Sequence, residues 1–254
     1  MSGRKDHWYN KAKQEGYRSR AAYKLKQLDE AASLIGAGDV VVDLGAAPGG
    51  WLQVAAELAG ADGEVLGVDL QRIQPLEGVE SLRGDLTDPD THEAIRDRVG
   101  EADVVLSDMA PNMSGEYELD HARSVHLARQ AFEVAQAVLA GGGDLVVKVF
   151  QGPDLEGLRA DLEREFVSVR VVSPEASRPA SSEVYLVAKR RLTAPVRAGD
   201  EVEVTVEAVG DEGDGIAKVD GFTLFVPGTE AGDELTVRVT DVKPRFGFAE
   251  RLDE

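Results

Sequence analysis

The sequence predicts an α/β fold in which a mostly parallel β-sheet covered by helices is followed by a small β-barrel. Three observations carry this. From residue 38 to about 190, apolar runs of strand length alternate with stretches of helical spacing, the rhythm of parallel strands joined by helices. One joint in that alternation, Asp43-Leu-Gly-Ala-Ala-Pro-Gly-Gly-Trp51, is a glycine-rich turn between an apolar run and a helix. Beyond Arg190–Val196 the chain changes to short alternating segments split by glycine turns, without helical periodicity, which is the pattern of a small barrel.

The elements follow in order. Asp39–Leu44 reads as a buried strand and 50–59 as a helix. Glu64–Asp69 is a strand ending in an acid, Val79–Gly84 a short strand and 88–99 a charged helix. Ala102–Asp108 is a strand that again ends in an acid. Residues 117–140 have the apolar spacing of a long helix, which Gly141-Gly-Gly143 should end. Asp144–Phe150 is a strand, 153–165 a helix, and Phe166–Val172 and Glu183–Lys189 are late strands. The barrel strands are Glu201–Val209, Gly215–Lys218, Thr223–Val226, Glu234–Val242 and Phe246–Glu250. Two domains are expected, 1–192 and 193–254, with 1–30 a basic segment of the first.

A strand, a glycine-rich turn and a helix in sequence make a nucleotide pocket at the helix N-terminus. The turn is not G-x-G-x-x-G, because Pro48 stiffens it while Gly49 and Gly50 let backbone approach a ligand. Asp69 ends the second strand, 20 residues after Gly49, where an acid hydrogen-bonds ribose hydroxyls; a turn cap is the structural alternative. Asp85 ends the third strand and is a candidate for an adenine amino group, or for a helix cap together with Thr87 and Asp88. The loop and Asp69 together fit NAD, S-adenosylmethionine or another nucleoside ligand.

Further along, Asp108-Met-Ala-Pro111-Asn112 places an acid where such sheets hold their ligands. Lys148 sits in the apolar run Val146–Phe150, where an ammonium is costly to bury unless paired; snorkelling to the surface is the alternative. Glu183 starts a late strand, and Lys24 lies on a helix ahead of the sheet.

Composition bounds the rest. The chain has 254 residues, is 43% hydrophobic and contains no Cys, so a packed core is possible and Cys-ligated metals are excluded. The four His residues show no metal-ligand spacing, and no metal is expected. No apolar run approaches the roughly 20 residues that span a bilayer, and no signal-peptide core is present, so a cytoplasmic protein without a membrane partner is expected. Lys+Arg number 28 against 47 Asp+Glu, a net charge of −19. An acidic, Lys-poor surface suits solubility at high salt, and a halophilic source is expected. Residues 1–26 break the pattern with eight basic residues against two acids. Trp8, Tyr9, Tyr17 and Tyr23 are interleaved there, a combination suited to nucleic acid.

Five segments together resemble one family. They are Ser19-Arg-Ala-Ala-Tyr-Lys24-Leu, Asp43–Trp51, Ser107-Asp108-Met-Ala-Pro-Asn-Met-Ser-Gly115, Val147-Lys148-Val-Phe-Gln-Gly152 and Ser182-Glu183-Val-Tyr185. In this order they are similar to the RrmJ/FtsJ (RlmE) family of S-adenosylmethionine-dependent ribosomal RNA 2′-O-methyltransferases, over roughly residues 5–190. The resemblance implies a Rossmann-like sheet with a Lys-Asp-Lys-Glu tetrad at Lys24, Asp108, Lys148 and Glu183. It implies cofactor contacts at Gly49, Trp51, Asp69, Asp85 and Asp108. Residues 193–252 resemble a TRAM domain, a small RNA-associated barrel, through Gly213–Ala217, Phe225–Gly228 and Phe246–Ala249. TRAM barrels usually carry more positive charge, so the acidity here points again to a haloarchaeal setting.

The implied partner is 23S rRNA or the large ribosomal subunit, with a uridine ribose as target and the protein taken as a monomer. Lys148 is then either the general base for the 2′-hydroxyl or a cation that stabilises the developing alkoxide, and Glu183 positions Lys24 or the ribose. Three rivals stand beside this: the same chemistry on transfer RNA, a nicotinamide-dependent oxidoreductase, and a non-catalytic RNA-binding module.

Overall fold

The protein is described by a computed structural model covering residues 7–178, 181–210 and 213–252. Two helices, α1 (His7–Glu15) and α2 (Ala22–Ala32), precede the sheet. The sheet region then runs β1 (Val40–Leu44), α3 (Gly50–Ala59), β2 (Glu64–Asp69), β3 (Glu80–Arg83), α4 (Pro89–Val99) and β4 (Ala102–Ser107). It continues through α5 (Tyr117–Val138), β5 (Leu139–Phe150), α6 (Leu155–Glu163), β6 (Phe166–Val172) and β7 (Glu183–Arg191). The seven strands lie in the order β3-β2-β1-β4-β5-β7-β6. All neighbouring pairs from β3 to β5 are parallel, and β7 alone runs against its neighbours.

Helices cover both faces, as the near-continuous apolar strands require. One face packs α4, α5 and α6 through Ile95, Ala131, Phe132 and Leu158 onto Val42, Leu44, Val105 and Val147. The other packs α2 and α3 through Leu25, Leu28 and Leu52 onto Val41, Leu106 and Val146. The chain works outward from β1 in one direction and from β4 in the other, so the strand order reverses between them. The crevice at the carboxyl ends of these two strands is where such sheets place ligands.

Residues 201–251 form the second body: β8 (Glu201–Val209), β9 (Asp214–Val219), β10 (Phe222–Pro227), β11 (Glu234–Val242) and β12 (Phe246–Arg251). They close as a barrel in the order β10-β12-β11-β8-β9, and register shifts on β11 and β8 help it curve. Its core, including Leu224, Val226, Val237 and Ala249, is separate from those of the sheet.

One expected boundary moves. The long helix ends at Val138, and the three glycines fall inside β5 rather than stopping the helix. Leu139 is already extended, with φ −75° and ψ 128°. The glycines serve close packing instead, for a Cβ on Gly143 would lie 2.8 Å from the Asp103 carbonyl oxygen. Among the described residues, no helix is long and apolar enough to cross a membrane.

Candidate active site

The sheet register assembles the polar cluster. Lys148 on β5 is paired with Tyr185 on β7, and Phe150 with Glu183. Residues two apart on a strand share a face, so Lys148, Tyr185 and Glu183 stand together at one edge of the crevice. Asp108 follows the end of β4, and α2 brings Lys24 over the same face.

The contacts among them are short. Lys148 Nζ donates to Asp108 Oδ1 at 2.8 Å and also to the Asp108 carbonyl oxygen. Lys24 Nζ lies 2.7 Å from Glu183 Oε1 and 3.8 Å from Asp108 Oδ1. The side chains of Lys24 and Lys148 are only 10% and 6% exposed, so neither snorkels. The structure thus brings Lys24, Asp108, Lys148 and Glu183 into one linked network, in which Glu183 holds Lys24.

Tyr185 joins the same network and was not singled out from the sequence. Its hydroxyl donates to Asp108 Oδ1 at 2.6 Å, and its ring lies beneath the Lys24 ammonium, 5.7 Å from Nζ. Burial, with Asp108 and Glu183 nearby, pushes its phenol well above the usual range, so it remains a donor. Its spacing of two from Glu183 was the available signal. Asp43 was also passed over, although a charge inside Val40–Leu44 was visible. It is 1% exposed, and one carboxyl oxygen has no partner among the described residues. Burial, reinforced by Asp108 and Asp69, pushes its carboxyl well above the ordinary range.

Beside the cluster opens a cleft of about 790 Å³ at the carboxyl ends of the strands. Asp69, Asp85 and Asp108 line it, together with Gly45, Met109, Pro111 and Asn112. Asp69 does double duty. One oxygen accepts from Ala47 N at 2.9 Å and the other from Gln71 N at 2.7 Å, so it ties the glycine-rich loop to β2. Each oxygen retains acceptor capacity for a ribose hydroxyl. Asp85 accepts from the Thr87 amide and hydroxyl, and these bonds, the amide's first, hold its carboxyl below the usual range. The cap of α4 is instead Asp88, accepting from Asp90 N at 3.0 Å. Gly45 has φ +74° and a Cβ there would stand 2.3 Å from Met109 Cγ, so only glycine fits at that wall.

Gly49 and Trp51, expected as cofactor contacts, do not line the cleft. Gly49 caps α3 with φ 105°, facing the Arg18 side chain. Trp51 is buried; its indole N–H donates to Ala21 O at 2.8 Å and its ring packs 5.8 Å from that of Tyr185. It braces both the start of α2 and the tyrosine that holds Asp108.

The basic, aromatic N-terminal segment is largely engaged by the protein itself. Arg18 donates to the carbonyls of Pro48, Gln74 and Pro75, and Arg20 donates to that of Ala176. Lys26 pairs with Glu57 at 3.3 Å and lies over the Tyr17 ring. Trp8, Tyr17 and Tyr23 pack against one another, with Lys11 over two of those rings. Arg4 and Lys5 lie outside the described residues. The aromatics were expected to be available to bases, but three of the four are committed to local packing because they surround the small buried Ala12 and Ala176.

A doubly wound sheet with an acid-lined crevice at its switch point is the architecture of the nucleotide-binding α/β class. Comparison with known proteins makes this specific. Residues 17–191 match the model of the FtsJ-like methyltransferase family, and residues 195–252 match the TRAM domain. The chain belongs to the FtsJ-like methyltransferase family. It is 71% identical to the ribosomal RNA large subunit methyltransferase E of Natronomonas pharaonis, over 98% of this chain and 99% of that one. It is 51% identical to the protein of that name from Methanocella arvoryzae, over 99% of this chain and 98% of that one. A Plasmodium falciparum chain described as a ribosomal RNA methyltransferase superposes with a TM-score of 0.62 at 27% identity, covering 69% of this chain and 98% of that one. The acidity expected of a halophile fits the haloarchaeal relatives.

Proposed function

We propose that this methyltransferase uses S-adenosylmethionine to methylate a ribose 2′-hydroxyl, on a uridine of the 23S rRNA in the large ribosomal subunit. One observation carries the chemistry: Lys148 Nζ is fixed by two oxygens of Asp108 at the lip of the acid-lined cleft. The names of close relatives support the large-subunit RNA as substrate.

The cleft fits the cofactor. Asp69 keeps free lone pairs where a ribose belongs, Asp85 stands at the next strand end, and Gly45 leaves a wall without a side chain. When bound there, S-adenosylmethionine supplies an electrophilic methyl on a sulfonium. What remains difficult is the nucleophile, because a protonated hydroxyl attacks poorly.

Asp108 holds Lys148 through two oxygens, which supports this reading. A neutral amine has two N–H donors, and Asp108 offers two acceptors to it. The lone pair is then the one position on nitrogen that Asp108 leaves free, and it would take the hydroxyl proton. Were the amine charged, its third N–H would occupy that position and stabilise the alkoxide. Lys24, shared between Glu183 and Asp108, places a second cation beside this centre. Tyr185 fixes Asp108 from below. The four groups therefore hold the proton-accepting atom in place before substrate arrives, which removes reorganisation from the barrier.

The test is Lys148→Ala, assayed with labelled methyl donor on undermodified large subunits and on transfer RNA. We expect methyl transfer to vanish while the cofactor still binds. Wild-type-like turnover would sink the assignment, and transfer confined to transfer RNA would redirect the substrate.

A further inference from the structure

The connection between β4 and α5 divides into two halves. In the first, Met109, Pro111 and Asn112 line the cofactor cleft. Beyond them Met113, Tyr117 and Leu119 are 65%, 58% and 39% exposed. One exposed apolar side chain is ordinary, but three within seven residues at the rim of a ligand cleft mark a surface that takes something. The charges beside it narrow what that is. Glu116 and Glu118 flank Tyr117 and are exposed, so a phosphate is disfavoured there and an uncharged flat group is not.

Tyr117 is exposed yet fixed. The buried Asp120 carboxylate accepts from Ser114 N and Ser114 Oγ at 2.8 Å and from Gly115 N at 3.1 Å. Tyr117 Oη donates to Gln151 O at 2.6 Å. His121 contacts the Phe150 carbonyl oxygen through Nδ1 at 3.0 Å and accepts from Asp154 N through Nε2 at 3.1 Å. The start of α5 is thus bolted both to the loop after Asp108 and to the segment after β5. The tyrosine has its hydroxyl tied and much of its ring open, and a ring ordered beforehand loses little freedom when a ligand stacks on it.

Its place relative to the proton-accepting centre is set by β5. Phe150 pairs with Glu183, and Gln151 N donates to Ser182 O at 2.9 Å. Gln151 is three residues beyond Lys148, so at about 3.3 Å per residue the anchor of the tyrosine lies roughly 10 Å along the chain from the lysine. One nucleotide covers that distance with its 2′-hydroxyl at Lys148 Nζ and its base toward Tyr117.

We propose that Tyr117 is the platform on which the base of the acceptor nucleotide stacks while its 2′-hydroxyl meets Lys148. This deepens the proposed ribose methylation and rests on it. Every base has a face to stack, so the platform selects an acceptor nucleotide that is unpaired and can be splayed out, not a particular base. Stacking also suits the salt that the chain's acidity implies. At about 1 M salt the Debye length is ~3 Å and phosphate contacts weaken, whereas a base on a ring does not depend on charge.

The experiment follows methyl transfer by the full chain on undermodified large subunits, reading KM for RNA and kcat, with cofactor affinity by calorimetry. Tyr117→Ala should raise KM about tenfold, the size expected for a lost stacking ring. Cofactor affinity should stay unchanged, because Tyr117 does not line the cofactor cleft. Tyr117→Phe loses the bond to Gln151 but keeps the ring and should restore KM, whereas Tyr117→Leu, apolar without a ring face, should not. An unchanged KM in the alanine variant overturns the proposal. So does a phenylalanine variant as impaired as the alanine one, since the hydroxyl tie would then be the whole role. Should the alanine variant not fold, photocrosslinking of the wild type to thiouridine-substituted RNA decides: crosslinks within 113–119 support the platform, and crosslinks that miss this segment refute it. A wild type that methylates no ribose would remove the proposed function and the platform with it, a result seen before any variant is compared.

Discussion

Tyr185→Phe isolates one hydrogen bond. The ring would stay packed on Trp51 at 5.8 Å, and only the donor to Asp108 Oδ1, now at 2.6 Å, would go. A hydrogen bond to a charged acceptor is worth about 1.5–3 kcal/mol. Asp108 Oδ1 would keep Lys148 at 2.8 Å and the more distant Lys24 at 3.8 Å, so the carboxylate becomes free to turn about its remaining contacts. If about half of that energy is expressed in the transition state, kcat falls roughly four- to twelvefold. At about 2–4 °C per kcal/mol for a domain of this size, the methyltransferase domain also melts a few degrees lower. KM for the methyl donor should hardly move, because Tyr185 does not line the cofactor cleft. A purely structural tyrosine would lower the melting temperature as well, so the deciding readout is kcat measured well below the melting temperature of both proteins, with KM for the methyl donor as control. A kcat within twofold of wild type under those conditions would refute the positioning role.

Three further outcomes are expected. Asp43 has a carboxyl raised well above 3.8 by burial; a group raised on folding loses its stabilising contribution as pH climbs from the unfolded value toward the folded one. Wild-type stability without cofactor should therefore decline from about pH 4 upward through this group, and Asp43→Asn should lack that decline; a variant melting temperature that does not rise relative to wild type as pH rises would contradict it. Asp69→Ala removes both the proposed ribose acceptor and the tie to Ala47 N, and calorimetry should show cofactor binding weakened at least tenfold, an unchanged dissociation constant being the refuting result. Removing 193–254 takes away a body with its own core, so cofactor affinity should persist while KM for RNA rises; normal methylation of the native RNA would make the barrel dispensable.

The strands, the glycine turn and the acids at strand ends were legible because period and punctuation are local properties of a chain. Asp69 was placed by its spacing from Gly49 and Asp85 by its position at the end of the third strand, and both line the cleft. The tetrad could be proposed from a resemblance, yet its geometry could not be read: Lys24, Asp108, Lys148 and Glu183 span nearly 160 positions and meet only through β5–β7 pairing and the placement of α2. Trp51 was a cofactor contact on the family resemblance alone, and no local pattern showed that its side chain packs inward onto Ala21 and Tyr185.

The N-terminal cations show the same division. Their charge was evident, but whether a cation faces solvent or a carbonyl depends on what folds against it, here the loops at 48, 74–75 and 176. By itself the sequence determined the fold class and the order of sheet and barrel, since these follow from hydrophobic period and turn chemistry. Only the tertiary structure decided which polar groups touch, because contact between distant residues is set by strand register and helix packing, and no local pattern encodes either.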